Sequence, residues 1–225
     1  KKSLFKNYPL KFESLLNRFS LFGYFQRIFV INTWQQQAPT GYHRLPAGYW
    51  LPTKMVLKLY HYPISAPSRG AFMAIKAIGV PVEIIHVDLF KKEQLNESFV
   101  KINPQHCIPT IIDDDGFVLW ESKAIACYLA EKHGREDLYP KDLKRRAVVN
   151  QRLYYDSSML YPRIRAIIYP ILFEGVKEIK EQLKDAVNVQ LGYLNHYLSE
   201  SKWVAGEEMT VADFAIAASI SNILV

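Results

Sequence analysis

A serine stands alone where a short apolar strand gives way to a predicted helix, in the stretch Tyr60-His61-Tyr62-Pro63-Ile64-Ser65-Ala66-Pro67-Ser68-Arg69. A hydroxyl in this position combines its own O–H with the positive end of the helix that follows, and both favour a bound anion. Dithiol redox proteins need a cysteine pair in such a turn. Here the turn reads Ser65-Ala66-Pro67-Ser68, which excludes dithiol exchange and favours stabilisation of an anionic ligand.

Two further motifs predict the rest of a pocket. Ile108-Pro109-Thr110 opens a strand, and because an X-Pro bond has lost most of the trans preference, we predict a cis peptide at Pro109. About a dozen residues later Glu121-Ser122 opens a helix, whose free N–H groups hold anions. Together the motifs predict a site for an extended peptide with a free carboxylate at one end. The structural alternative is that the serines only cap helices and the proline only ends a loop.

The elements that must position these motifs alternate between strand and helix. Strands are predicted at 56–60, 82–87, 110–112 and 117–119, and helices at 67–79, 91–101 and 121–133. After Asp142 only helical periodicity is present. Helices are predicted at 142–173, with bends near Pro162 and Pro170, at 176–199, and from Thr210, where Thr210-Val211-Ala212-Asp213 has the spacing of a capping box. The prediction is an α/β domain at 55–133, a linker at 134–141 and an all-α domain at 142–225.

The three motifs in this order, followed by the helix cap Thr210-Val211-Ala212-Asp213-Phe214, resemble the glutathione transferases across residues 55–225. The pattern Pro63-x-Ser65-x-Pro67-x-Arg69 is most similar to the serine-type insect delta and epsilon classes, and we class the chain as epsilon-like. The resemblance implies a thioredoxin-like N-terminal domain, a helical C-terminal domain and a homodimer. It also implies glutathione as co-substrate, with no further cofactor and no metal.

The resemblance implies a role for each motif. Ser65 is the catalytic residue, donating to the thiol sulfur; from the residues alone Ser68, Tyr60 and Tyr62 remain alternatives. The implied glutathione-binding residues are Gln94, His106, Ile108, Pro109, Glu121, Ser122 and Lys123. Two of these depart from the family pattern. Lys123 stands where arginine is usual, which keeps the charge but loses the bidentate fork, and Gln94 stands where histidine is common.

The hydrophobic-substrate side is implied to lie on the long helix, at Tyr161, Ile164, Arg165 and Ile168. These residues follow helical spacing, so a plain core stripe is the alternative. Arg165 on such a face requires an acidic partner or an anionic ligand. The identity of the electrophile does not follow from the sequence.

Composition excludes several other classes. The chain has 225 residues, 49% hydrophobic and 22% charged, as in ordinary globular proteins. Its two cysteines, Cys107 and Cys127, form neither a CxxC motif nor a zinc pattern, and no 18-residue apolar run predicts a membrane span. The net charge of +6 comes from the leader at 1–54, where five Lys and three Arg face the single acid Glu13. The charge therefore does not predict nucleic-acid binding, and a cytoplasmic location is the default.

The two ends of the chain depart from the resemblance. We expect the leader to be disordered or non-native, with a transit sequence or a membrane-surface segment as alternatives. The chain stops at Val225 while the family continues through further helices, so we expect an incomplete C-terminal domain with Phe214, Ile216, Ile220 and Ile223 uncovered. The predicted function is conjugation of glutathione to hydrophobic electrophiles in detoxification. The alternatives are a non-catalytic ligand binder and a glutathione-dependent isomerase.

Overall fold

The computed structural model describes residues 42–44, 50–52 and 56–223. In chain order its elements are β1 Tyr42–Arg44, β2 Trp50–Pro52, β3 Leu57–His61, α1 Ala66–Ile78, β4 Val82–His86, α2 Glu97–Val100, β5 Thr110–Ile112, β6 Val118–Trp120, α3 Ser122–Lys132, α4 Leu143–Tyr155, α5 Tyr161–Phe173, α6 Glu181–Glu200 and α7 Val211–Ser221. A 3₁₀ turn, Glu93–Leu95, precedes α2, and a π-helical segment, Asp156–Leu160, joins α4 to α5.

Four strands form a mixed sheet in the order β4-β3-β5-β6. β3 and β4 are parallel, as a strand–helix–strand crossover through α1 requires, and β5 and β6 are antiparallel to their neighbours. Leu57, Leu59 and Ile111 on these strands are buried in one core with α1 and α3. The predicted α/β arrangement is confirmed, and it is that of a thioredoxin-like sheet.

Two short strands of the leader, β1 and β2, are among the described residues. β1 and β2 pair antiparallel, a feature that the sequence did not predict, and the remainder of the expected disordered segment lies outside the described residues. Among residues 56–223, no helix is both long enough and apolar enough to span a membrane.

The helix predicted at 91–101 is wrong in its extent. Lys92 has φ 58°, a left-handed conformation, and Asn96 is extended, so the segment divides into the 3₁₀ turn and α2. By contrast α1 matches its prediction within a residue: its last residue is Ile78, and the next residue, Gly79, has a φ of 88° that favours glycine.

The helix predicted at 142–173 is helical throughout 143–173, with a π-helical segment between its two α-helical parts. The π-helical segment Asp156–Leu160 joins α4 to α5, and Pro162 is the second residue after it, where the hydrogen-bond pattern changes from π to α. Pro170 is accommodated inside α5. No strand follows Asp142 in the described part of the chain; an isolated bridge pairs Trp203 with Gly206. The exact domain boundaries remain predictions.

The expectation that α7 lacks a cover is wrong. Phe214, Ile216, Ile220 and Ile223 are all at most 4% exposed, because α7 packs against α1, α3, α4 and α5. A helix that is apolar all round is a core helix. Its predicted capping box is confirmed: the Asp213 carboxylate accepts hydrogen bonds from the backbone N–H of Thr210 (2.7 Å) and of Val204 (2.9 Å).

Replacing Asp213 with alanine should lower the free energy of unfolding by about 2–4 kcal/mol, because two buried N–H groups lose their acceptor. Asp142, the exposed N-cap of α4, accepts from the N–H of Arg145 (2.9 Å) and is the matched control; Asp142→Ala should cost about 1 kcal/mol. Urea denaturation of both variants measures the difference. Equal losses would contradict the importance of burial at this cap.

Candidate active site

Ser65 is the N-cap of α1 and lies in the turn that follows β3. Its backbone is extended (φ −77°, ψ 113°), and its hydroxyl oxygen accepts a hydrogen bond from the N–H of Ser68 at 3.4 Å. This leaves the O–H proton of Ser65 available to donate. The side chain is partly exposed and sits at the positive end of a 13-residue helix. The position therefore suits a bound anion that needs one hydrogen bond.

Ser68, the sequence alternative to Ser65, is fully buried. Its hydroxyl lies 2.7 Å from Nδ1 of His61 and accepts from the N–H of Tyr62 at 3.4 Å. Tyr60 and Tyr62 pack edge-on against Phe99 and His86, and burial raises the pKa of both phenols. Of these side chains Ser65 has the hydroxyl best placed to meet a ligand.

The predicted cis peptide between Ile108 and Pro109 is present. The buried Asn103 supports this loop, since its amide donates to the carbonyl of Cys107 (3.0 Å) and to the hydroxyl of Thr110 (2.9 Å). His106, exposed and with φ 43°, donates its backbone N–H to the carbonyl of Asn103 at 2.8 Å. The loop thus fixes the backbone on both sides of the proline.

Cys107 shows no sign of activation. It is half-buried, and burial raises the pKa of its thiol above the usual value. A raised thiol pKa leaves less thiolate, so the structure favours an inert cysteine here.

Glu121 and Ser122 stand where β6 meets α3. Glu121 has φ 72° and ψ 105°, a conformation that costs a non-glycine residue of order 1–3 kcal/mol and clusters at ligand sites. Its side chain is exposed, while Ser122 is 8% exposed at the first position of the helix. A carboxylate acceptor and an open helix N-terminus thus lie side by side, as binding of an amino-acid end requires.

Lys123 has a partner that the sequence did not indicate. Its ammonium lies 2.8 Å from Oδ2 of Asp156, in the π-helical segment, and the two side chains are 18% and 1% exposed. Burial raises the pKa of Asp156, and the charge of Lys123 opposes that shift. The pair joins α3 to the helical domain. A direct contact of Lys123 with a ligand remains a prediction.

Gln94 lies in the 3₁₀ turn after β4 and is half-buried. Its Oε1 is enclosed and has no hydrogen-bond partner within residues 56–223. Its predicted role in binding also remains a prediction.

The four residues predicted for the hydrophobic-substrate side do not share one environment. Ile164 is fully buried in the core, so in this structure it is not a pocket wall. Arg165 is exposed, with its guanidinium over the ring of Tyr169 at 4.3 Å, so the buried face expected for it is wrong. Tyr161 and Ile168 are partly buried against the core and keep some accessible surface.

Sequence reasoning missed an aromatic contact between the two domains. The rings of Phe90, after β4, and Phe173, at the end of α5, lie 4.9 Å apart, and Tyr169 also lies 4.9 Å from Phe173. Phe90 is 50% exposed and Phe173 37%. Tyr169 and Phe173 are four residues apart, which places them on one face of a helix and could have indicated an aromatic cluster. Nothing in the sequence indicated that either ring contacts Phe90.

The fold and the site define a class of protein. The family model described as "Glutathione S-transferase, N-terminal domain" matches residues 55–131, and "Glutathione S-transferase, C-terminal domain" matches residues 123–222. Glutathione S-transferase unclassified 2 from Bombyx mori is 61% identical in sequence, with a TM-score of 0.70. The alignment covers 74% of this chain and 78% of that one.

Two further solved structures indicate the class. A delta-class glutathione transferase of Nilaparvata lugens is 46% identical (TM-score 0.70; 73% of this chain and 77% of that one), and an epsilon-class enzyme of the housefly Musca domestica is 39% identical (TM-score 0.72; 74% and 77%). The chain belongs to the glutathione S-transferase family, among relatives of the insect delta and epsilon classes.

The burial of His61 generates a pH prediction. Burial lowers the pKa of His61 to about 4, so the unfolded chain binds a proton between pH 6.5 and 4 that the folded chain does not. The free energy of unfolding should therefore fall by about 3 kcal/mol from this residue as the pH drops through that range. Chemical denaturation at several pH values should show a smaller fall in His61→Gln.

His133, exposed at the end of α3, supplies the control, and His133→Gln should keep the parent pH dependence. If His61→Gln also kept the full pH dependence, His61 would not be the group responsible.

Proposed function

We propose that this protein conjugates reduced glutathione, through its sulfur, to hydrophobic electrophiles. The observation that carries the proposal is the Ser65 hydroxyl, partly exposed at the N-terminus of α1 with its proton free to donate. Family membership supports the same reaction, and detoxification is the corresponding role.

The chemistry follows from the ionisation of the thiol. A free thiol has a pKa near 8.5, so only a few per cent is thiolate at neutral pH. A hydrogen bond from Ser65 and the helix N-terminus both favour the thiolate. Lowering the pKa by two units requires about 2.7 kcal/mol of differential stabilisation. The thiol proton passes to solvent, the sulfur lone pair forms the new S–C bond, and the leaving group departs with the electrons of the bond that breaks.

The remaining predicted residues take ground-state binding roles. The backbone of Ile108, held by the cis bond to Pro109, pairs with the cysteinyl part of glutathione. Glu121 and Ser122 hold the γ-glutamyl end, where the carboxylate meets the N-terminus of α3. Three further residues bind the glycyl end and the other polar groups of glutathione: Gln94, His106 and Lys123.

The electrophile lies beside the thiol, against the accessible surfaces of Tyr161, Arg165 and Ile168. We extend the proposal to a homodimer in the cytoplasm, as is typical of the family, with glutathione as co-substrate and no other cofactor.

Ser65→Ala should lower kcat by up to about 100-fold at pH 6.5, because the thiol reverts toward its free pKa. The pH midpoint of the rate should rise toward about 8.5, with little change in KM for glutathione. Steady-state kinetics with an aromatic halide across pH 6–9 measures both. Ser199→Ala, on the exposed face of α6, should behave as the parent. An unchanged pH profile in Ser65→Ala would refute the assignment.

Glu121→Ala and Ser122→Ala should instead raise KM for glutathione by about 10-fold each, since they remove charge-assisted hydrogen bonds that are present in both ground and transition states. The kcat should change little.

Mass spectrometry of the products distinguishes the proposed conjugation from other functions. Glutathione affinity without conjugation would indicate a ligand-binding protein, and a product of unchanged substrate mass would indicate an isomerase.

A further inference from the structure

Arg69 lies one helical turn after Ser65 and donates hydrogen bonds to the backbone carbonyls of Pro63, Ile64 and Ser65. Its backbone N–H donates to the carbonyl of Ser65 at 3.0 Å. Its Nη1 donates to the carbonyls of Pro63 (2.7 Å) and Ile64 (3.0 Å), the two residues immediately before the serine. One residue therefore fixes three consecutive carbonyl groups of the turn.

The other end of the same guanidinium reaches the helical domain. Nη2 donates to the carbonyl of Ala218 (3.2 Å), the hydroxyl of Ser221 (2.8 Å) and the amide oxygen of Asn222. These groups form the C-terminal end of α7, where carbonyls lack helical partners and the helix dipole favours a cation. The planar fork of arginine suits such a bridge, because its nitrogens point in fixed, divergent directions.

The acceptors around Arg69 are all neutral: three backbone carbonyls, a hydroxyl and an amide. Burial lowers the pKa of the guanidinium to about 10, which still leaves it protonated at neutral pH. A partly buried cation with these partners is favourable only while its hydrogen bonds are made, so its geometry is closely determined.

We propose that Arg69 is a positioning residue for Ser65, which it holds at the reacting sulfur by anchoring the Pro63–Ile64 backbone to the C-terminal end of α7. This inference rests on the proposed function. Its consequence is that the helical domain sets the position of a hydroxyl that belongs to the N-terminal domain.

The first test is Arg69→Lys, which keeps the charge but removes the fork. Because a displacement of about 1 Å can cost about 100-fold in rate, we expect kcat to fall by about 10- to 100-fold. The pH midpoint of the rate should rise as in Ser65→Ala, while KM for glutathione stays within about 2-fold, since Glu121 and Ser122 lie on another element. The thiolate absorbance of bound glutathione gives its pKa independently of turnover.

The second test is a double-mutant cycle. If Arg69 acts through Ser65, then Arg69→Lys should lower kcat by no more than about 2-fold in a Ser65→Ala background. Additive losses would show that Arg69 acts by another route and would overturn the proposal. Parent-like kinetics of Arg69→Lys combined with impaired kinetics of Arg69→Met would also overturn it, because charge alone would then suffice.

Arg135 is the matched control. Its Nη1 donates to the carbonyls of Ala77 and Ile78, at the far end of α1 and about 20 Å from Ser65 by helical rise. Arg135→Lys should lower the Tm without shifting the pH profile of the rate. If it shifted the profile as Arg69→Lys does, the effect would be a general loss of stability rather than positioning.

If the Arg69 variants do not fold, the proposal can be tested by changing the acceptors at the C-terminal end of α7 instead. The double substitution Ser221→Ala with Asn222→Ala leaves the guanidinium in place and removes two of its acceptors, and it should raise the pH midpoint in the same direction by a smaller amount. A lower Tm with an unchanged pH profile would refute the anchoring role of α7. Absence of conjugation in the parent protein would instead refute the proposed function itself.

Discussion

The close packing of α1 on α7 is the contact on which the other features depend. Gly70 faces α7, and a Cβ added there would meet Cα of Ala215, Cβ of Ala218 and the carbonyl of Phe214, each at 3.5 Å. Small residues on both helices therefore let the two backbones approach closely. Since Ser65 caps the N-terminus of α1 and α1 lies on the sheet, this contact places the N-terminal domain and the Ser65 turn against the helical domain.

Buried polar side chains lie at this contact and near it, within the apolar core that the two domains share. Asp213 caps α7 from within, Lys123 pairs with Asp156 beside it, and Arg69 crosses it near Ser65. Buried groups of this kind are favourable only in one arrangement, because an unpaired buried donor costs about 1–3 kcal/mol and an unpaired buried charge about 3–5 kcal/mol. The apolar surfaces bring the domains together, and the polar groups select one alignment.

The sequence predicted best what short segments determine by themselves. Gly79 at the end of α1, the cis bond before Pro109 and the cap of α7 each depend on a few neighbouring residues, and each is present. The contacts that it did not predict join distant segments: Lys123 with Asp156, and Phe90 with Phe173. Spacing shows which face of a helix is apolar but not which element packs on it. For this reason the sequence predicted that Ile164 lines a pocket and that the apolar face of α7 is exposed, whereas both are buried.

The Lys123–Asp156 ion pair constrains chimeras in which the two domains come from different family members. Each domain supplies one charge, and a domain taken alone would carry an unmatched ion on the surface that it normally buries. A chimera that joins the first domain of one family member to the second of another inherits this requirement, because Lys123 comes with one half and Asp156 with the other. Joining two parents that both carry the pair would preserve it, whereas a parent that lacks one partner would leave the other without its counter-ion.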